Sequence, residues 1–440
     1  MTRASEHVDW VAGTVDVLVI GAGHAGLAMS HVLDERGVDH VVLERGEIAN
    51  SWRHERRESL RLLTPNWQTR LPGRAYDGAE PDGFMTVPEL VRFLEDYAAD
   101  TYLPVITRTT VKSVRRDGCG YRVDTNRGTW KAKAVVFATG ACNLPWVPAI
   151  ASDLPGNIRQ LTPLDYRSPE SVLAGGVLVV GASASGLQIA DELLETGVEV
   201  TLAVGEHVRM PRTYRGRDIF YWLERAGIHD QHYDEVEDLA RGRRLPSPQL
   251  IGSSEPPIFD LNHLAAQGAR IAGRLVGVRG TELLFSGSLR NVCALADLKM
   301  RRLLKQIDET ADAEHAPAAE SFAPTLMTHE PPLNLDVEQQ HIRTVIWATG
   351  FRPDYRWLDV PVLDRKGHLR HEGGVVASPG LYVLGLPLMR RRKSSFIFGI
   401  EDDVRDIAAH LDEYLVSTSR RGNDDVDQNP ASKRGVRRSA

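Results

Sequence analysis

A glycine-rich hexapeptide occurs twice in the chain, each time between a short β-branched run and the start of a helical pattern. GAGHAG at 21–26 follows the run Val15–Ile20, and GASASG at 181–186 follows Val177–Val180. A strand that turns at glycine into a helix is half of a βαβ unit, and the N-terminus of that helix offers oriented N–H groups to a phosphate. The repeat therefore predicts two dinucleotide-binding folds in one chain.

Each hexapeptide is followed by the residues that complete a βαβ unit. Helical spacing of apolar residues, then a glycine stop, then a second β-branched run occur in the same order in both. The predicted elements are a helix at Ala25–Arg36, Gly37 and a strand at Val38–Leu43, and then a helix from about Ser185 to Glu195, Gly197 and a strand at Val198–Val204.

The first unit has the residue types of a complete dinucleotide site. Gly21 permits the tight turn, Gly23 lets the backbone approach a pyrophosphate, and Gly26 allows the helix to pack closely on the strand. Glu44 ends the second strand about 20 residues after the loop, where a carboxylate accepts hydrogen bonds from ribose hydroxyls. This combination favours a binding site over an incidental glycine-rich turn.

The second unit departs from the first at two places. Ser183 replaces the middle glycine, but a small hydroxyl side chain still lets a phosphate come near. No acid ends the second strand where Glu44 does so in the first unit, and Arg209 and Arg212 follow in a basic stretch instead. Cationic side chains suit a 2′-phosphate, so the pattern favours NADPH over NADH, although a solvated basic loop has the same composition.

Two similar apolar strands indicate how the units are connected. VVFATG at Val135–Gly140 follows the first unit, and VIWATG at Val345–Gly350 follows the second. Their recurrence predicts an α/β protein with two Rossmann-like domains, the second inserted in the first. The predicted boundaries are 1–13 for a flexible N-terminus, 14–170 and 321–416 for the two parts of the first domain, 171–320 for the inserted domain and 417–440 for a disordered tail.

Composition and charge argue against several other classes of protein. The net charge of −6 and the lack of a basic stripe interleaved with aromatic residues argue against a nucleic-acid partner. No stretch approaches the roughly 18 apolar residues of a membrane span, and the N-terminus lacks an apolar signal-peptide core. We therefore expect a cytoplasmic protein without membrane insertion. The three cysteines form no paired motif, which predicts no disulfide framework, redox dithiol or metal site.

Together these motifs resemble the class B flavin monooxygenases. The resemblance rests on GAGHAG with Glu44, ANSWR at 49–53, the two ATG strands, GASASG and ATGFRPD at 348–354. The group includes the flavin-containing monooxygenases, the YUCCA enzymes of auxin synthesis and the Baeyer–Villiger monooxygenases. The chain is similar above all to a bacterial branch described only as flavoproteins, some of them named for cation transport or efflux. The resemblance implies FAD in the first domain and NADPH in the inserted one.

The resemblance also implies which residues contact each cofactor. For FAD these are Gly21, Gly23, His24, Ala25, Gly26, Glu44, Arg45, Ser51, Trp52 and Arg53. For NADPH they are Gly181, Ser183, Ser185 and Gly186 at the pyrophosphate, and Arg209 with Arg212 at the 2′-phosphate. Further cofactor-binding candidates are Thr139 and Gly140 on the first ATG strand, and Thr349 and Gly350 on the second, which belong to the linker that returns to the FAD domain. A C-terminal helix, expected from about Glu401 to Leu415, would point its N-terminus at the flavin.

The chain departs from the family's pattern in two segments. Its fingerprint between the domains has the form FxGxxxHxxx(Y/W), and the corresponding LPGNIRQLTPLDY has Leu154 for Phe, two extra residues and Thr162 for His, with Tyr166 kept. An Asn that faces the flavin in the flavin-containing monooxygenases falls at Leu63. Because the flavin carries the chemistry, no catalytic side chain is assigned. Thr162 and Tyr166 are the candidates for such a role.

The implied function is oxygenation of a small organic substrate by O2, with FAD, NADPH and a C4a-(hydro)peroxyflavin. Two alternatives remain open. One is an NADPH oxidase or diaphorase, and the other is a redox-sensing flavoprotein associated with ion transport that oxygenates nothing. The sequence leaves the substrate, the pocket residues and a homo-oligomeric state undecided.

Overall fold

The regular structure is organised around two sheets. The computed structural model describes residues 12–311, 317–326 and 330–427. The first sheet has ten strands: Thr14–Ile20, His40–Leu43, Val105–Ile106, Val111–Asp117, Gly120–Thr125, Gly128–Phe137, Leu358–Asp359, His371–Glu372, Val375–Val376 and Leu381–Val383. The second has five: Arg159–Leu161, Gly176–Val180, Val200–Ala203, Arg270–Ala272 and Ile342–Trp347. The chain therefore has the mixed α/β fold that the two βαβ patterns predict.

Helices and short ribbons surround the two sheets. The helices are α1 (His24–Glu35), α2 (Asn50–His54), α3 (Val87–Asp100), α4 (Ala184–Glu195), α5 (Ile219–Arg225), α6 (Leu239–Gly242), α7 (Leu261–Ala266), α8 (Leu289–Thr310) and α9 (Ile400–Asp427). The ribbons are Leu275–Arg279 with Glu282–Phe285 and Asn334–Asp336, Val208–Arg209 with Pro248–Gln249, Thr213–Tyr214 with Arg217–Asp218, Leu144–Pro145 with Phe351–Arg352, and Arg70–Leu71 with Arg74–Ala75.

The strand that leads into the first glycine loop lies inside the first sheet. Thr14–Ile20 runs parallel to both of its neighbours, Gly128–Phe137 and His40–Leu43. Its last four residues are all buried and apolar, which is typical of a parallel strand covered on both faces. α1 packs against α9, so the chain's last helix closes over the helix that follows the loop.

The second sheet repeats this arrangement. The strand before the second glycine loop lies parallel between the strands at 200–203 and 342–347. Two strands of this sheet, at 159–161 and 342–347, lie outside the limits 171–320 predicted for the inserted domain, and those limits stay a prediction. VIWATG belongs to the second sheet because it takes the place beside the glycine-loop strand that VVFATG takes in the first.

The C-terminal helix is longer than predicted. α9 continues to Asp427, so the backbone is helical over the first residues of the predicted disordered tail. The rest of that tail, 428–440, and residues 1–11 of the predicted flexible N-terminus lie outside the described residues. None of the helices in the described part of the chain combines the length and apolar character needed to cross a membrane.

Candidate functional site

The first glycine loop packs closely against backbone atoms at Gly21 and Gly26 and has free space at Gly23. Gly21 has a φ of +107°, and a Cβ there would lie 2.5 Å from the backbone oxygen of Ala138. A Cβ at Gly26 would lie 1.8 Å from the oxygen of Gly21, so both positions require glycine. At Gly23 a Cβ would meet no atom of the described residues within 4 Å. Gly23 therefore lies on an exposed face of the loop, where a ligand can approach the backbone.

Glu44 is held against this loop by backbone donors. Its side chain is buried, with Oε2 accepting from the Ala22 N–H at 2.8 Å and Oε1 from the Gly46 N–H at 3.0 Å. A carboxylate has about four acceptor positions, so both oxygens keep capacity for ribose hydroxyls. The arrangement fixes the carboxylate at the end of the second strand, as an FAD ribose site requires.

The other residues predicted for FAD surround the same loop. Ala25 and Gly26 begin the buried side of α1, and Ser51, Trp52 and Arg53 lie in α2, whose N-cap residue Ala49 donates its N–H to the oxygen of Ala22 at 3.0 Å. Thr139 and Gly140 follow the neighbouring strand, and a Cβ at Gly21 would lie 3.4 Å from the Thr139 Cα. The structure thus brings the predicted set together at the carboxyl end of the first sheet, which is where open α/β sheets bind ligands.

Charged members of this set have different surroundings. Arg45 pairs with Glu55, and Arg53 pairs with Glu95 at 2.5 Å, so both guanidinium groups already have carboxylate partners. His24 has a buried Nε2 without a hydrogen-bond partner among the described residues, and burial lowers the pKa of His24 to about 4. A neutral imidazole with a free nitrogen fits a hydrogen bond to a bound cofactor, whereas a lone imidazolium does not fit this site.

The second glycine loop has the same conformation as the first. Gly181 has a φ of +114°, and a Cβ at Gly186 would lie 1.9 Å from the Gly181 oxygen. Ser183 has φ −86° and ψ −177°, against −83° and −177° for Gly23. Serine therefore fits the middle position without backbone strain, and Ser183 and Ser185 are only partly buried at the start of α4. The oxygen of Ala348 closes the loop from behind, as that of Ala138 does in the first unit.

The structure places Arg209 and Arg212, which the sequence assigns to a 2′-phosphate, in the interior of the protein. Arg209 is buried and donates to Asp260 at 2.8 and 2.5 Å and to Asp297 at 2.8 Å. Arg212 has no exposed surface and is paired with Asp218 at 3.2 Å. Both cations are committed to interior acceptors. The basic stretch in the sequence is therefore structural at these two positions.

A different arginine lies where a 2′-phosphate would be expected. Val204 holds the position that Glu44 holds in the first unit, and the next residue, Gly205, stands beside Arg274, since a Cβ at Gly205 would lie 3.3 Å from the Arg274 Nε. Arg274 is exposed, and its guanidinium has no hydrogen-bond or ion-pair partner within the described ranges. It follows the strand at 270–272, which pairs with the strand ending at Ala203. Sequence reasoning missed it because only the strand order places it there.

The predicted catalytic and linker residues are hydrogen-bonded within the protein. Thr162 donates its hydroxyl to Asp165 at 2.7 Å, and buried Tyr166 donates to Glu192 at 3.2 Å. Burial raises the pKa of Tyr166 well above its usual range. Both hydroxyls are therefore engaged, and a catalytic role for either stays a prediction. Thr349 donates to the Trp146 oxygen, and Gly350 accepts from the Trp146 N–H at 2.8 Å, so both lie where the chain crosses between the sheets.

Polar contacts fasten the second unit to the first. Arg57, which follows α2, donates to Gln188 of α4 at 2.8 Å. Gln68 donates to Glu224 of α5 at 3.0 Å, and Arg70 pairs with the same carboxylate at 3.1 Å. The relative position of the two glycine loops therefore depends on specific side chains.

The described residues contain no disulfide and no cluster of side chains placed to hold a metal ion. The three cysteines are free thiols. Across residues 12–311, 317–326 and 330–427 there is no group of three or more His, Cys, Asp or Glu side chains placed to hold a metal ion.

Comparisons with known proteins agree with this architecture. The profile of the family described as pyridine nucleotide-disulphide oxidoreductase matches residues 18–225. An uncharacterized CzcO-like oxidoreductase of Geobacillus kaustophilus is 34% identical over 406 residues, which cover 90% of this chain and 99% of that protein. The indole-3-pyruvate monooxygenase YUCCA4 of rice is 29% identical over 50% of this chain and 55% of its own length.

Solved structures share the fold. A flavin-containing monooxygenase from Stenotrophomonas maltophilia has a TM-score of 0.64 at 21% identity, covering 91% of this chain and 99% of its own. A structure of OTEMO in complex with FAD and NADP has a TM-score of 0.53 at 16% identity, covering 93% of this chain and 86% of its own. At these identities the likeness extends to the fold alone.

Proposed function

We propose that this chain, which belongs to the CzcO-like oxidoreductases of the class B flavin monooxygenase superfamily, oxygenates a small organic molecule with electrons from NADPH. Membership makes it an FAD- and NADPH-dependent oxidoreductase. The first glycine loop binds FAD, and the second binds NADPH. In this proposal the unit built on the second sheet is an insertion in the unit built on the first, which is supported by the return of the chain to the first sheet at Leu358–Asp359.

The observation that carries the proposal is the pair of matched loops with different strand ends. Gly23 and Ser183 share one backbone conformation, so both loops can present N–H groups to a pyrophosphate. Glu44 at the first strand end suits two free ribose hydroxyls. Arg274 beside Gly205 at the second suits a ribose that carries a phosphate. The two sites therefore differ in the way that FAD and NADPH differ.

FAD, when bound, supplies the redox and oxygen chemistry, and the protein supplies binding, orientation and exclusion of water. Glu44 and the loop at 21–26 hold its adenosine and pyrophosphate. α9 begins at Ile400 and directs the positive end of its dipole out of its N-terminus, where by resemblance the flavin lies. Arg274 and the loop at 181–186 hold NADPH, so that the nicotinamide is delivered from the second unit toward the first.

The reaction is tested by following electrons and products together. The purified protein should contain FAD, oxidise NADPH in preference to NADH, and convert a member of a panel of sulfides, amines, ketones and 2-oxo acids to a product one oxygen atom heavier. Mass spectrometry with 18O2 should place one labelled atom in that product. Peroxide equal to the NADPH consumed, across the whole panel, would show instead that the protein does not oxygenate.

An NADPH oxidase is the second candidate, because two residues differ from the monooxygenase pattern. The hydroxyl of Thr162 is bound to Asp165, and Leu63 is an alkyl side chain where the flavin-containing monooxygenases have Asn. The Thr162 hydroxyl is thus already engaged, and Leu63 has no polar side-chain group. The same assay separates the candidates, since an oxidase returns all of its NADPH electrons as peroxide whichever substrate is present.

A further inference from the structure

Gln249 is a buried side chain that touches the second glycine loop and has one end unpaired. It lies in the short strand Pro248–Gln249 and has no exposed surface. Its Nε2 donates to the backbone oxygen of Ala182, the second residue of GASASG, at 2.8 Å. Its Oε1 is buried and has no hydrogen-bond partner among the residues that the structure describes. Buried acceptors are nearly always paired, so this oxygen requires an explanation.

The chemistry of Ala182 determines which way the amide faces. A backbone carbonyl can only accept, so the NH2 end of Gln249 must face Ala182 and the oxygen must face away from it. Rotating the amide by half a turn would set two acceptors against each other. The unpaired atom is therefore an acceptor that needs a donor from outside the described residues.

The first unit shows what lies at the equivalent position. There the oxygen of Ala22 accepts from the N–H of Ala49 at 3.0 Å, and Ala49 begins α2, which carries Ser51 and Trp52. On the other side of Ala22, the N–H is bound by Glu44, where the adenosine ribose is expected. The carbonyl of this loop residue thus faces the half of the dinucleotide opposite the adenosine.

The second loop has the same conformation, so the same reasoning applies to Gln249. Gln249 is bound to the carbonyl side of Ala182, whereas Gly205 and Arg274 mark the adenosine end. By the comparison with Ala22, the unpaired oxygen is assigned to the nicotinamide half of a bound dinucleotide. The donors there are the ribose hydroxyls and the carboxamide N–H of the nicotinamide.

The backbone around Gln249 is fixed before any ligand binds. Gln188 of α4 donates through Nε2 to the oxygen of Leu250, the next residue. The other end of Gln188 accepts from Arg57, which belongs to the first unit. The Gln188 side chain thus links α4 to the segment that follows α2, and it fixes the backbone next to Gln249. Little mobility of Gln249 therefore has to be lost on binding.

We propose that Gln249 is a ligand of NADPH, with its Oε1 accepting a hydrogen bond from a hydroxyl or amide donor on the nicotinamide half. This assignment rests on the proposed function, in which the second loop binds NADPH. It adds a contact on the side of the dinucleotide remote from Arg274. It also gives Gln249 two roles, support of the loop through Nε2 and recognition through Oε1.

The two roles are separated by measuring binding of three ligands to the FAD-loaded protein by titration calorimetry. The ligands are NADP+, 2′-phospho-ADP-ribose, which lacks the nicotinamide, and 2′,5′-ADP, which lacks the whole nicotinamide half. The variant Gln249→Met should weaken NADP+ about 10-fold or more, as expected for a lost buried hydrogen bond, and change 2′,5′-ADP by less than about twofold. The 2′-phospho-ADP-ribose result identifies the donor: a loss equal to that for NADP+ indicates a ribose hydroxyl, and no loss indicates the carboxamide.

Gln160→Met is the matched control. Gln160 also bridges elements of the second sheet, but both of its amide ends have partners, at 3.0 Å to the Ala151 oxygen and 2.9 Å from Trp347 Nε1. It should leave all three affinities unchanged.

Two results would overturn the proposal: equal weakening of all three ligands by Gln249→Met, or unchanged NADP+ affinity in that variant. The first would leave Gln249 as a loop support only. If the parent protein binds none of the three ligands, the proposed function itself fails, and that result is distinct from the others.

Discussion

The guanidinium of Arg212 donates a hydrogen bond to the backbone oxygen of Leu63 at 2.9 Å. Arg212 belongs to the stretch after the second nucleotide unit, whereas Leu63 lies in the segment that by resemblance faces the flavin. The same guanidinium donates to the oxygen of Ile251 at 3.0 Å and lies between the rings of Phe84 and Phe220. A residue predicted to bind a nucleotide is therefore a connection between the two nucleotide units, and its charge is satisfied inside the protein.

Gly23→Val should remove FAD and leave the protein folded. A side chain at Gly23 meets no atom of the described residues within 4 Å, and its φ of −83° is ordinary for any residue, so the change leaves the fold unstrained. The valine would occupy the approach of the pyrophosphate. We expect a colourless protein with unchanged far-UV circular dichroism.

Gly26→Val is the contrasting variant. Its Cβ would lie 1.8 Å from the Gly21 oxygen, so that variant should lose stability as well as FAD. A yellow Gly23→Val protein with parent FAD content would refute the assignment of the first loop.

Arg274→Gln should reduce the preference for NADPH over NADH by about 10- to 100-fold, the usual effect of losing one charge-assisted hydrogen bond. The loss should lie in kcat/KM for NADPH, with NADH little affected, because only NADPH carries the 2′-phosphate. Arg279→Gln, at the exposed end of the next strand, removes the same charge and should change neither. An unchanged ratio of the two kcat/KM values in Arg274→Gln would exclude Arg274 from the site.

Arg209→Met should destabilise the protein and not merely weaken nucleotide binding. The change leaves Asp260 and Asp297 buried without their cation, which typically costs about 3–5 kcal/mol. Urea unfolding followed by circular dichroism measures this, with Arg279→Gln as the surface control. A variant of parent stability that has lost its NADPH preference would restore the discarded prediction.

The glycine loops could be predicted from the sequence because their constraints are local. Gly21, Gly26 and their counterparts are required by atoms within a few residues or on the adjacent strand, and Glu44 follows at a nearly constant distance. A short window of sequence contains the glycine spacing and the acid that identify the motif, although the Ala138 oxygen that requires glycine at position 21 follows a distant strand. The same applies to the βαβ units and to α9.

The arginines could not be assigned in the same way. Arg209 is neutralised by carboxylates 51 and 88 residues further along the chain, and nothing near it in sequence announces them. Arg274 reaches the second nucleotide site only because its strand pairs with the strand ending at Ala203. Gln249 is likewise brought to Ala182 from 67 residues away. Burial and strand order determine the role of such side chains, and neither can be predicted from the amino-acid composition.

His229 should make stability depend on pH between about 4 and 6.5. Its ring is buried among Phe220, Phe396 and Phe398, and burial lowers the pKa of His229 to about 4. The unfolded chain binds a proton at higher pH than the native protein does. The contribution of the neutral His229 ring to the free energy of unfolding is therefore fully present above about pH 6.5 and is lost as the pH falls toward 4.

For one fully buried group the loss between pH 7 and pH 5 is about 2 kcal/mol at most. His229→Phe should remove this part, since phenylalanine suits the surrounding rings. His24 and His371 have similarly lowered pKa values, so their contributions to the pH dependence of stability will remain in the variant. Urea unfolding at pH 7 and pH 5 provides the comparison, and equal pH sensitivity of parent and variant would show that His229 is not the source.

Arg57 should set how well the nicotinamide meets the flavin. It links the segment after α2 to Gln188 at 2.8 Å and lies 3.8 Å from Glu192, which in turn accepts from Tyr166. Arg57→Ala should loosen this link without touching either glycine loop. Because hydride transfer needs sub-ångström alignment, flavin reduction by NADPH in anaerobic stopped-flow should slow about 10-fold or more, while the NADP+ dissociation constant and FAD content stay near parent values. Arg57→Lys, which keeps the charge, should recover part of the rate.

In air the loosened site should also admit water, so a larger share of the NADPH electrons should leave as hydrogen peroxide. Parent reduction rate and parent peroxide yield in Arg57→Ala would mean that the two units are aligned by other contacts.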